Sequence, residues 1–262
     1  MRGVAVVTGA GRGFGREIAR RLAGRGYDVL STDIDAGAAA ATAEQVGGFS
    51  APLDVRDPEA HRAVARAAGE RGPLEVWVNN AGVLRTVKAW EHPDEDVRLL
   101  CEVNLLGVIH GSRVAVAAMR AGGGQIVNIA SLSALAPVPG LAVYAATKHA
   151  VLGFTTSLQG DLDQAGIPVR VHVLCPDGAD TDMTRERASD PDAAIIWSAP
   201  RLLDACEVAD AAVAMLDSRR IVRVLPRWRG WVARGTAMMD RHRAHERGPL
   251  ETGWRAQARK VG

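Results

Sequence analysis

Short apolar runs alternate along this chain with longer segments in which apolar residues recur every three or four positions. The short runs are typical of buried strands, and the longer segments are typical of helices with one apolar face. Strands are predicted at residues 4–8, 28–33, 49–53, 74–78, 125–130, 169–175 and 221–225. Helices are predicted at residues 16–24, 36–46, 58–71, 93–120, 143–165 and 207–216, and residues 182–205 are predicted to be irregular. This alternation indicates an α/β fold in which helices cover a parallel sheet.

The predicted elements end at residue 225, and the composition changes near that point. Residues 219–262 carry twelve Lys or Arg and three Asp or Glu, so their net charge is +9 and that of the preceding residues is −7. At 262 residues the chain is short enough to form one α/β domain. We therefore predict a single domain over residues 1–225, extended by a basic tail over residues 226–262 that looks like an appendage to a finished core.

The basic tail has the pattern of an amphipathic helix. Apolar residues recur at helical intervals while arginines fall elsewhere, the two sets being Trp228, Trp231, Val232 and Met239, and Arg227, Arg234 and Arg241. Such a helix can pack on a neighbouring subunit or lie on an anionic membrane. We expect subunit packing, because the acidic body offers a complementary surface. Membrane contact and a loosely held tail are the alternatives.

Composition excludes several classes of protein. No apolar run approaches the length of a membrane span, and the chain enters its first strand almost at once. The three cysteines have no metal-ligand spacing, and their odd number argues against a disulfide framework. We therefore expect a cytoplasmic protein without a metal site. A nucleic-acid binder is disfavoured, because the body is acidic and contains no recognition motif.

A glycine-rich turn follows the first predicted strand and precedes the first predicted helix. It reads Gly9-Ala10-Gly11-Arg12-Gly13-Phe14-Gly15. Glycine lets a backbone approach a pyrophosphate closely, and the following helix presents free N–H groups and its positive dipole end to that anion. The second strand ends at Asp33, about where a dinucleotide fold places the carboxylate that holds the adenosine ribose. This stretch predicts a dinucleotide site; a simple turn, with Asp33 as a helix cap, is the alternative.

Three polar residues point to proton-transfer chemistry. Tyr144 and Lys148 lie four residues apart in a segment without Pro or Gly, so a helix would place the phenol and the ammonium on one face. An ammonium about 4 Å away would lower the pKa of a phenol from about 10 toward the physiological range. Ser131, which follows the fifth strand, could meet the phenol. A half-buried ring beside a solvated charge is the structural alternative for this pair.

These motifs resemble those of the short-chain dehydrogenase/reductase (SDR) family. Ser131, Tyr144 and Lys148 match its Ser and Tyr-x-x-x-Lys signature, and residues 8–15 match its glycine fingerprint. The resemblance covers about residues 3–225. It implies a Rossmann-type, doubly wound sheet of seven strands in the order 3-2-1-4-5-6-7. It also implies that Ser131 orients the substrate oxygen, that Tyr144 exchanges its proton and that Lys148 binds the nicotinamide ribose.

The resemblance assigns roles to further residues. Asn104 would hold a water that links Lys148 to solvent, or it is a satisfied interior side chain. Asp54 would contact the adenine, or it caps the next helix, and Asn80 would steady the sheet. Ala179 and Thr181 would address the nicotinamide carboxamide. The implied cofactor contacts are Thr8, Gly9, Gly11, Arg12, Gly13, Phe14, Gly15, Asp33, Ile34, Asp54, Val55, Asn80, Ala81, Gly82, Tyr144, Lys148, Pro176, Gly178, Ala179 and Thr181.

Cofactor choice depends on two opposed charges. Asp33 would accept hydrogen bonds from both ribose hydroxyls and repel a 2′-phosphate, which favours NAD. Arg12 favours NADP, because a basic residue just before the second glycine often accompanies NADP in this family; a solvated Arg12 is the alternative. We expect the carboxylate to prevail, since Ile34 and Asp35 supply no positive charge to offset it.

The chain departs from the family pattern after the sixth strand. The family usually has Pro-Gly there, whereas this chain has Pro176-Asp177-Gly178. Asp177 is either a turn former or a carboxylate that selects substrate. Ile195 and Ile196 would join an apolar pocket. The predicted substrate contacts are Ser131, Leu132, Ser133, Val138, Leu141, Asp177 and Trp197.

The sequence thus indicates an NAD-dependent oxidoreductase that interconverts a secondary alcohol and a ketone, on an apolar small molecule. An NADP-dependent carbonyl or ketoacyl reductase is the first alternative. A dinucleotide-binding regulator without turnover is the second, although it would not need Asn104, Ser131, Tyr144 and Lys148 together. The resemblance also implies a homo-oligomer, either a dimer or a tetramer, assembled through the helices that carry Asn104 and Tyr144.

Overall fold

The computed structural model describes residues 2–199 and 201–230. Seven parallel strands form one sheet in the order β3-β2-β1-β4-β5-β6-β7, which confirms the predicted order. The strands are β1 Val4–Thr8, β2 Asp28–Asp33, β3 Phe49–Pro52, β4 Leu74–Asn79, β5 Gly124–Ile129, β6 Val169–Pro176 and β7 Val222–Leu225. The predicted strand positions differ from these by one residue at most.

Helices cover both faces of the sheet, as expected for parallel strands buried on both sides. They are α1 Gly13–Gly24, α2 Ala36–Val46, α3 Pro58–Arg71, α4 Asp94–Cys101, α5 Gly107–Met119, α6 Ala142–Ala165, α7 Asp182–Arg185 and α8 Ala205–Val213. Helices α1, α2 and α8 pack together on one face, and α3, α5 and α6 pack on the other. Successive residues of β1 point to opposite faces, so that Ala5 and Val7 meet Ile18 while Val4 and Val6 join the core around Trp77.

The carboxyl ends of the central strands form the functional edge of the sheet. The chain leaves β1 toward β2 on one side and later returns to β4 on the other. The loops after β1 and β4 therefore diverge and leave a crevice between them, which is where open α/β sheets bind ligands. Thr8 ends β1 opposite Thr32, and Asn79 ends β4 opposite Asn128.

The long helix predicted over residues 93–120 is interrupted. Helices α4 and α5 are joined by a π-helical turn, Glu102–Leu106, which contains Asn104. Asp94–Met119 is also long and apolar enough to cross a membrane, with a mean hydropathy of 1.4 over its best window. The expectation that no apolar run reaches this length was therefore wrong. In the fold α5 packs against α3, β4 and β5, so its apolar composition is that of a core helix.

The segment predicted to be irregular contains two short helical turns. Helix α7 begins at Asp182, where the Thr181 amide donates a hydrogen bond to the Thr184 hydroxyl at 3.1 Å. A 3-10 turn follows at Pro191–Trp197. Of the basic tail, the structure describes only residues 226–230. Trp231, Val232, Arg234, Met239 and Arg241, on which the predicted amphipathic stripe also depends, lie outside the described residues.

Candidate active site

Two positions in the turn after β1, Gly9 and Gly15, require glycine. Gly9 has φ of 64°, a left-handed conformation that favours glycine. A Cβ on Gly15 would lie 2.0 Å from the Gly9 carbonyl oxygen, so no larger residue fits where α1 begins. The side-chain amide of Asn80 donates hydrogen bonds to the carbonyl oxygens of Thr8 at 2.9 Å and Gly9 at 3.0 Å. The turn is thus held open by β4, and the first turn of α1 faces the crevice.

Asp33 holds the same turn from the other side. Its carboxylate accepts hydrogen bonds from the Gly11 amide at 2.9 Å and the Asp35 amide at 3.1 Å. Asp35 is the residue that caps α2, through the Ala38 amide, so the alternative in which Asp33 serves only as a helix cap is wrong. The carboxylate therefore has a fixed position at the end of β2, facing the crevice.

A groove of about 360 Å³ runs along this crevice, and we call it the glycine-loop groove. Twelve of the predicted cofactor contacts line it. They are Gly9, Arg12, Gly13, Phe14, Asp33, Ile34, Asp54, Val55, Asn80, Ala81, Gly82 and Thr181. Of the other eight predicted contacts, four line a neighbouring cavity and four line neither cavity; the first set is Tyr144, Pro176, Gly178 and Ala179, and the second is Thr8, Gly11, Gly15 and Lys148. The lining also includes Leu53, Arg56, Val83, Leu99, Val103, Asp182 and Met183, which sequence reasoning did not select.

Arg12 and Asp54, two charged residues predicted to contact the cofactor, already have charged partners in the protein. Arg12 lies 3.9 Å from Asp182 and 3.6 Å from Glu186, across the groove mouth. Asp54 accepts hydrogen bonds from the Arg56 guanidinium, which lowers the pKa of that carboxyl. The alternative in which Asp54 caps the next helix is wrong, because Asp57 is the residue that caps α3. Arg12 is thus opposed by two acidic side chains, while its own side chain is 62% exposed, which fits the alternative of a solvated Arg12.

A second, largely apolar cavity of about 210 Å³ adjoins the groove, and we call it the apolar pocket. Phe14, Thr181 and Met183 line both cavities. The predicted substrate contacts Ser131, Leu132, Ser133, Val138, Leu141 and Asp177 all line the pocket, together with Tyr144, Pro176, Gly178, Ala179, Ile195 and Ile196. Trp197 does not line it and is 37% exposed, so this prediction was wrong. The 3-10 turn directs Ile196 inward and leaves the neighbouring ring at the surface.

Ser131 and Tyr144 line the apolar pocket, and Lys148 is buried beside Tyr144 without lining either cavity. Ser131 follows β5, and Tyr144 and Lys148 are on α6. The Lys148 Nζ donates a hydrogen bond to the Ile129 carbonyl oxygen at 3.1 Å and lies 5.6 Å from the centre of the Tyr144 ring. Lys148 is only 4% exposed, so the alternative of a solvated charge is wrong.

The pKa of Tyr144 moves opposite to the sequence-based expectation. Burial raises the pKa of Tyr144 to about 12, although its contact with Ser131 acts in the other direction. Burial lowers the pKa of Lys148 to about 8. In the free protein, the loss of water around each group is the largest cause of both shifts, and the Lys148 ammonium donates its hydrogen bond to the Ile129 carbonyl.

Asn104 is fully buried in the π-helical turn and is committed to the backbone of Val83. Its side-chain oxygen accepts from the Val83 amide at 2.8 Å, and its nitrogen donates to the Val83 carbonyl at 2.9 Å. The side chain thus positions the backbone at Gly82 and Val83, which passes close to the Lys148 ammonium. The amide oxygen and nitrogen each keep one further hydrogen-bonding position, and the predicted water contact stays a prediction.

An unexpected ion pair lies in the apolar pocket. The Arg229 Nε donates to Asp177 Oδ2 at 2.6 Å, and Arg229 Nη2 donates to the Ser198 hydroxyl at 3.1 Å. The two charged side chains are only 18% and 10% exposed. The view of the basic tail as an appendage was therefore wrong for its first turn. No local pattern could have revealed a partner 52 residues away.

Comparison with known proteins decides the family. A family model described as short chain dehydrogenase matches residues 3–192, which is most of the chain. The chain belongs to this family. Ser131, Tyr144 and Lys148 lie inside the matched region, whereas Arg229 lies beyond its end. The pair of Asp177 and Arg229 thus joins the matched region to the segment that follows it.

Several relatives are similar over most of their length. The 1-deoxy-11-beta-hydroxypentalenate dehydrogenase of Streptomyces avermitilis is 37% identical over 226 residues, covering 82% of each chain. The 3-oxoacyl-(acyl-carrier-protein) reductase of Escherichia coli is 37% identical over 221 residues, covering 82% of this chain and 89% of its own. A short-chain dehydrogenase/reductase from Burkholderia phymatum, solved in complex with NAD, has a TM-score of 0.85 at 29% identity, covering 95% of this chain and 98% of that chain.

Proposed function

We propose that this family member is an NAD-dependent oxidoreductase that interconverts a secondary alcohol and a ketone on an apolar small molecule. The observation that carries the proposal is that Ser131 and Tyr144 line a mostly apolar pocket which shares Phe14, Thr181 and Met183 with the glycine-loop groove. A substrate oxygen in the pocket can therefore reach two hydroxyl groups beside a site shaped for a dinucleotide.

The residues of the groove suit a nicotinamide dinucleotide. The first turn of α1 would hold the pyrophosphate, Asp33 the adenosine ribose and Lys148 the nicotinamide ribose. When bound, the cofactor supplies the hydride chemistry. Tyr144 donates the proton to the ketone oxygen in reduction and accepts it from the alcohol in oxidation, and Ser131 orients that oxygen by a hydrogen bond. Pocket residues such as Leu132, Leu141 and Ile196 exclude water.

A substrate panel tests this function. Apolar secondary alcohols with NAD, and the corresponding ketones with NADH, are assayed by NADH fluorescence. Saturated hydrocarbons of the same size, which lack the reacting oxygen, serve as blanks. Turnover of at least one pair in both directions is expected. Tight NAD binding without turnover across the panel would favour a dinucleotide-binding regulator instead.

An NADP-dependent ketoacyl reductase is the second candidate. The 3-oxoacyl reductase relative and the position of Arg12 at the groove favour it. Against it, Asp33 faces the groove from a fixed position, and Arg12 is already close to two acidic residues. The cofactor therefore separates the two candidates.

We expect NAD to be preferred over NADP by at least about 10-fold in kcat/KM, because a carboxylate repels the 2′-phosphate at contact. Asp33→Ala should raise activity with NADP, and Asp33→Asn should do so while keeping an acceptor for the Gly11 amide. Adding Glu186→Gln should raise NADP activity further, because it releases Arg12 from one acidic neighbour. Glu186→Gln alone serves as the control that keeps the NAD preference. A wild-type preference for NADP would show that Arg12 outweighs Asp33.

We also propose a homo-oligomer, and a cytoplasmic location in keeping with three free cysteines. In support, buried residues make up only 39% of the most apolar window of Asp94–Met119, and Leu106 in this segment is 41% exposed. Light scattering after size exclusion should give a dimer or tetramer of the 27.7 kDa chain.

Deletion of residues 226–262 should weaken the oligomer or open the apolar pocket, because it removes Arg229 and leaves Asp177 unpaired. NADH binding should persist, since no residue of the deleted segment lines the glycine-loop groove as described. Mass, melting temperature and vesicle sedimentation are compared for the two proteins. Unchanged mass and melting temperature together with lost vesicle binding would reject subunit packing in favour of membrane contact.

A further inference from the structure

Arg229 is held in one orientation at the wall of the apolar pocket. Asp177 fixes its Nε at 2.6 Å, and Ser198 accepts from its Nη2 at 3.1 Å. The carboxylate is itself anchored, since Asp177 Oδ1 accepts from the Gly178 amide at 2.9 Å and the Asp177 amide donates to the Leu225 carbonyl. The Arg229 guanidinium is thus a rigid fork of N–H donors. It is preorganised for recognition, because little side-chain entropy remains to be lost on binding.

The Arg229 guanidinium keeps donor capacity that the described part of the chain does not use. A guanidinium has five N–H donors. Within residues 2–199 and 201–230, only Nε and Nη2 of Arg229 donate hydrogen bonds, and Nη1 donates none. The other pocket residues contributed by the loops after β4 and β5 are mostly apolar, including Leu84, Leu132 and Val138. Among the described residues the N–H groups at Nη1 therefore have no protein acceptor, and Arg229 lines the apolar pocket.

The charge of the pair indicates which acceptor fits. Asp177 neutralises Arg229 at hydrogen-bond distance, so the pair carries no net charge. A carboxylate or phosphate in the pocket would approach Asp177 as closely as Arg229 and would gain little from the positive charge. A neutral oxygen, such as an ether, a carbonyl or a hydroxyl, accepts a charge-assisted hydrogen bond from the guanidinium without that repulsion.

The sheet sets the separation between this donor and the reacting oxygen. Ser131 follows β5, Asp177 follows β6 and Arg229 follows β7, and these strands are neighbours in that order. Adjacent strands lie about 4.8 Å apart, so the ends of β5 and β7 are separated by about 10 Å, and Arg229 lies four residues beyond the end of β7. After allowance for the long arginine side chain, a second substrate oxygen would lie several bonds from the reacting carbon.

We propose that Arg229, oriented by Asp177 and Ser198, is a specificity-determining residue that donates a hydrogen bond to a second, neutral oxygen on an otherwise apolar substrate. The inference rests on the proposed alcohol and ketone chemistry and names the substrate class for that site. The favoured substrates are compact apolar ketones or alcohols that carry an additional ether, carbonyl or hydroxyl oxygen several bonds away.

Two ketones that differ in one atom test the proposal. The probes are 6-methoxy-2-decalone and 6-ethyl-2-decalone, in which an ether oxygen is exchanged for a methylene group of similar size. The readout is the ratio of their kcat/KM values, followed by NADH oxidation. Wild type should favour the methoxy ketone by about 10- to 100-fold, the range expected for a hydrogen bond to a charged group. The carboxylate analogue, 2-decalone-6-carboxylate, should be no better than the ethyl ketone.

Variants assign the preference to Arg229. Arg229→Met should bring the ratio to about 1, and the double variant Asp177→Asn with Arg229→Met should do the same without a stranded carboxylate. Arg227→Met is the matched control, because Arg227 is on the same turn but does not line the apolar pocket, and it should keep the wild-type ratio. A ratio does not depend on the amount of folded protein, so a merely structural role would lower both rates together and leave the ratio unchanged.

The outcomes separate this inference from the proposed function. Equal kcat/KM values for the two ketones in wild type, or a preference that survives in Arg229→Met, would overturn the role of Arg229 while leaving the alcohol and ketone chemistry intact. A wild-type preference for the carboxylate would overturn the assignment to a neutral oxygen. Should neither ketone be reduced or bind the NADH complex, while NADH itself binds, the proposed substrate class fails and this inference fails with it.

Discussion

Tyr144→Phe is expected to lower turnover by about 100-fold or more while NADH still binds. The substitution keeps the ring but removes the hydroxyl that lines the apolar pocket beside Ser131. General acid–base catalysis by a positioned group is worth about 100- to 10,000-fold, so the loss should fall in that range. The measurements are initial rates at saturating cofactor and NADH affinity from fluorescence titration.

Tyr27→Phe is the matched control, because Tyr27 is the only other tyrosine and packs against the core around α1. It removes the same atom far from both cavities, so turnover should stay near the wild-type value. Near-normal turnover of Tyr144→Phe would reject the proposed proton donor. Loss of NADH binding by that variant would mean that the hydroxyl serves the cofactor site rather than the chemistry.

Lys148→Met is expected to abolish most activity and yet stabilise the free protein. Lys148 is 4% exposed, and burial lowers the pKa of its ammonium from 10.5 to about 8. At about 1.4 kcal/mol per pKa unit, keeping this group charged in the fold costs on the order of 3 kcal/mol at neutral pH. Methionine fills a similar volume without that cost. The melting temperature should therefore rise by several degrees while NAD binding and turnover fall.

The stabilisation should depend on pH in a defined direction. The folded pKa lies below the unfolded one, so the unfolded state binds more protons between pH 8 and 10.5, and wild-type stability rises with pH in that window. Below about pH 8 the full penalty is present, and above about 10.5 it has gone. The difference in melting temperature between Lys148→Met and wild type should therefore be largest at pH 7 and shrink by pH 10.

Thermal unfolding of both proteins at several pH values measures this difference, and comparing the two cancels the titration of groups that they share. A difference that stays constant with pH would show that Lys148 is not the titrating group. A lower melting temperature for Lys148→Met at pH 7 would show that the hydrogen bond to Ile129 outweighs the cost of burying the charge.

The strands and the glycine turn could be predicted because their causes are local. β-branched runs such as Val4–Thr8 prefer a buried strand wherever they occur, and Gly9 and Gly15 occupy positions that larger residues cannot fill. The placement of Tyr144 and Lys148 on one side of α6 follows from their spacing of four residues. The strand order depended on the family resemblance, and the structure confirms it.

The predictions that were wrong concern features that depend on tertiary packing. The pKa of Tyr144 depends on how much water the surrounding elements remove, which no spacing reveals. Trp197 and Ile196 are adjacent, and only the packing of the 3-10 turn decides which one enters the pocket. The π-helical turn at Glu102–Leu106 likewise has no periodic pattern that distinguishes it from α-helix.

Local patterns were sufficient to establish the α/β alternation, the dinucleotide turn and the spacing of the Ser, Tyr and Lys residues, because each depends on neighbours within a few positions. Tertiary structure decided how charges are compensated. Asp177 meets Arg229 across 52 residues of sequence, and both side chains are largely buried. The physical reason is that a carboxylate or guanidinium withdrawn from water must find a partner in space, and the fold, not the order of residues, determines which partner is near.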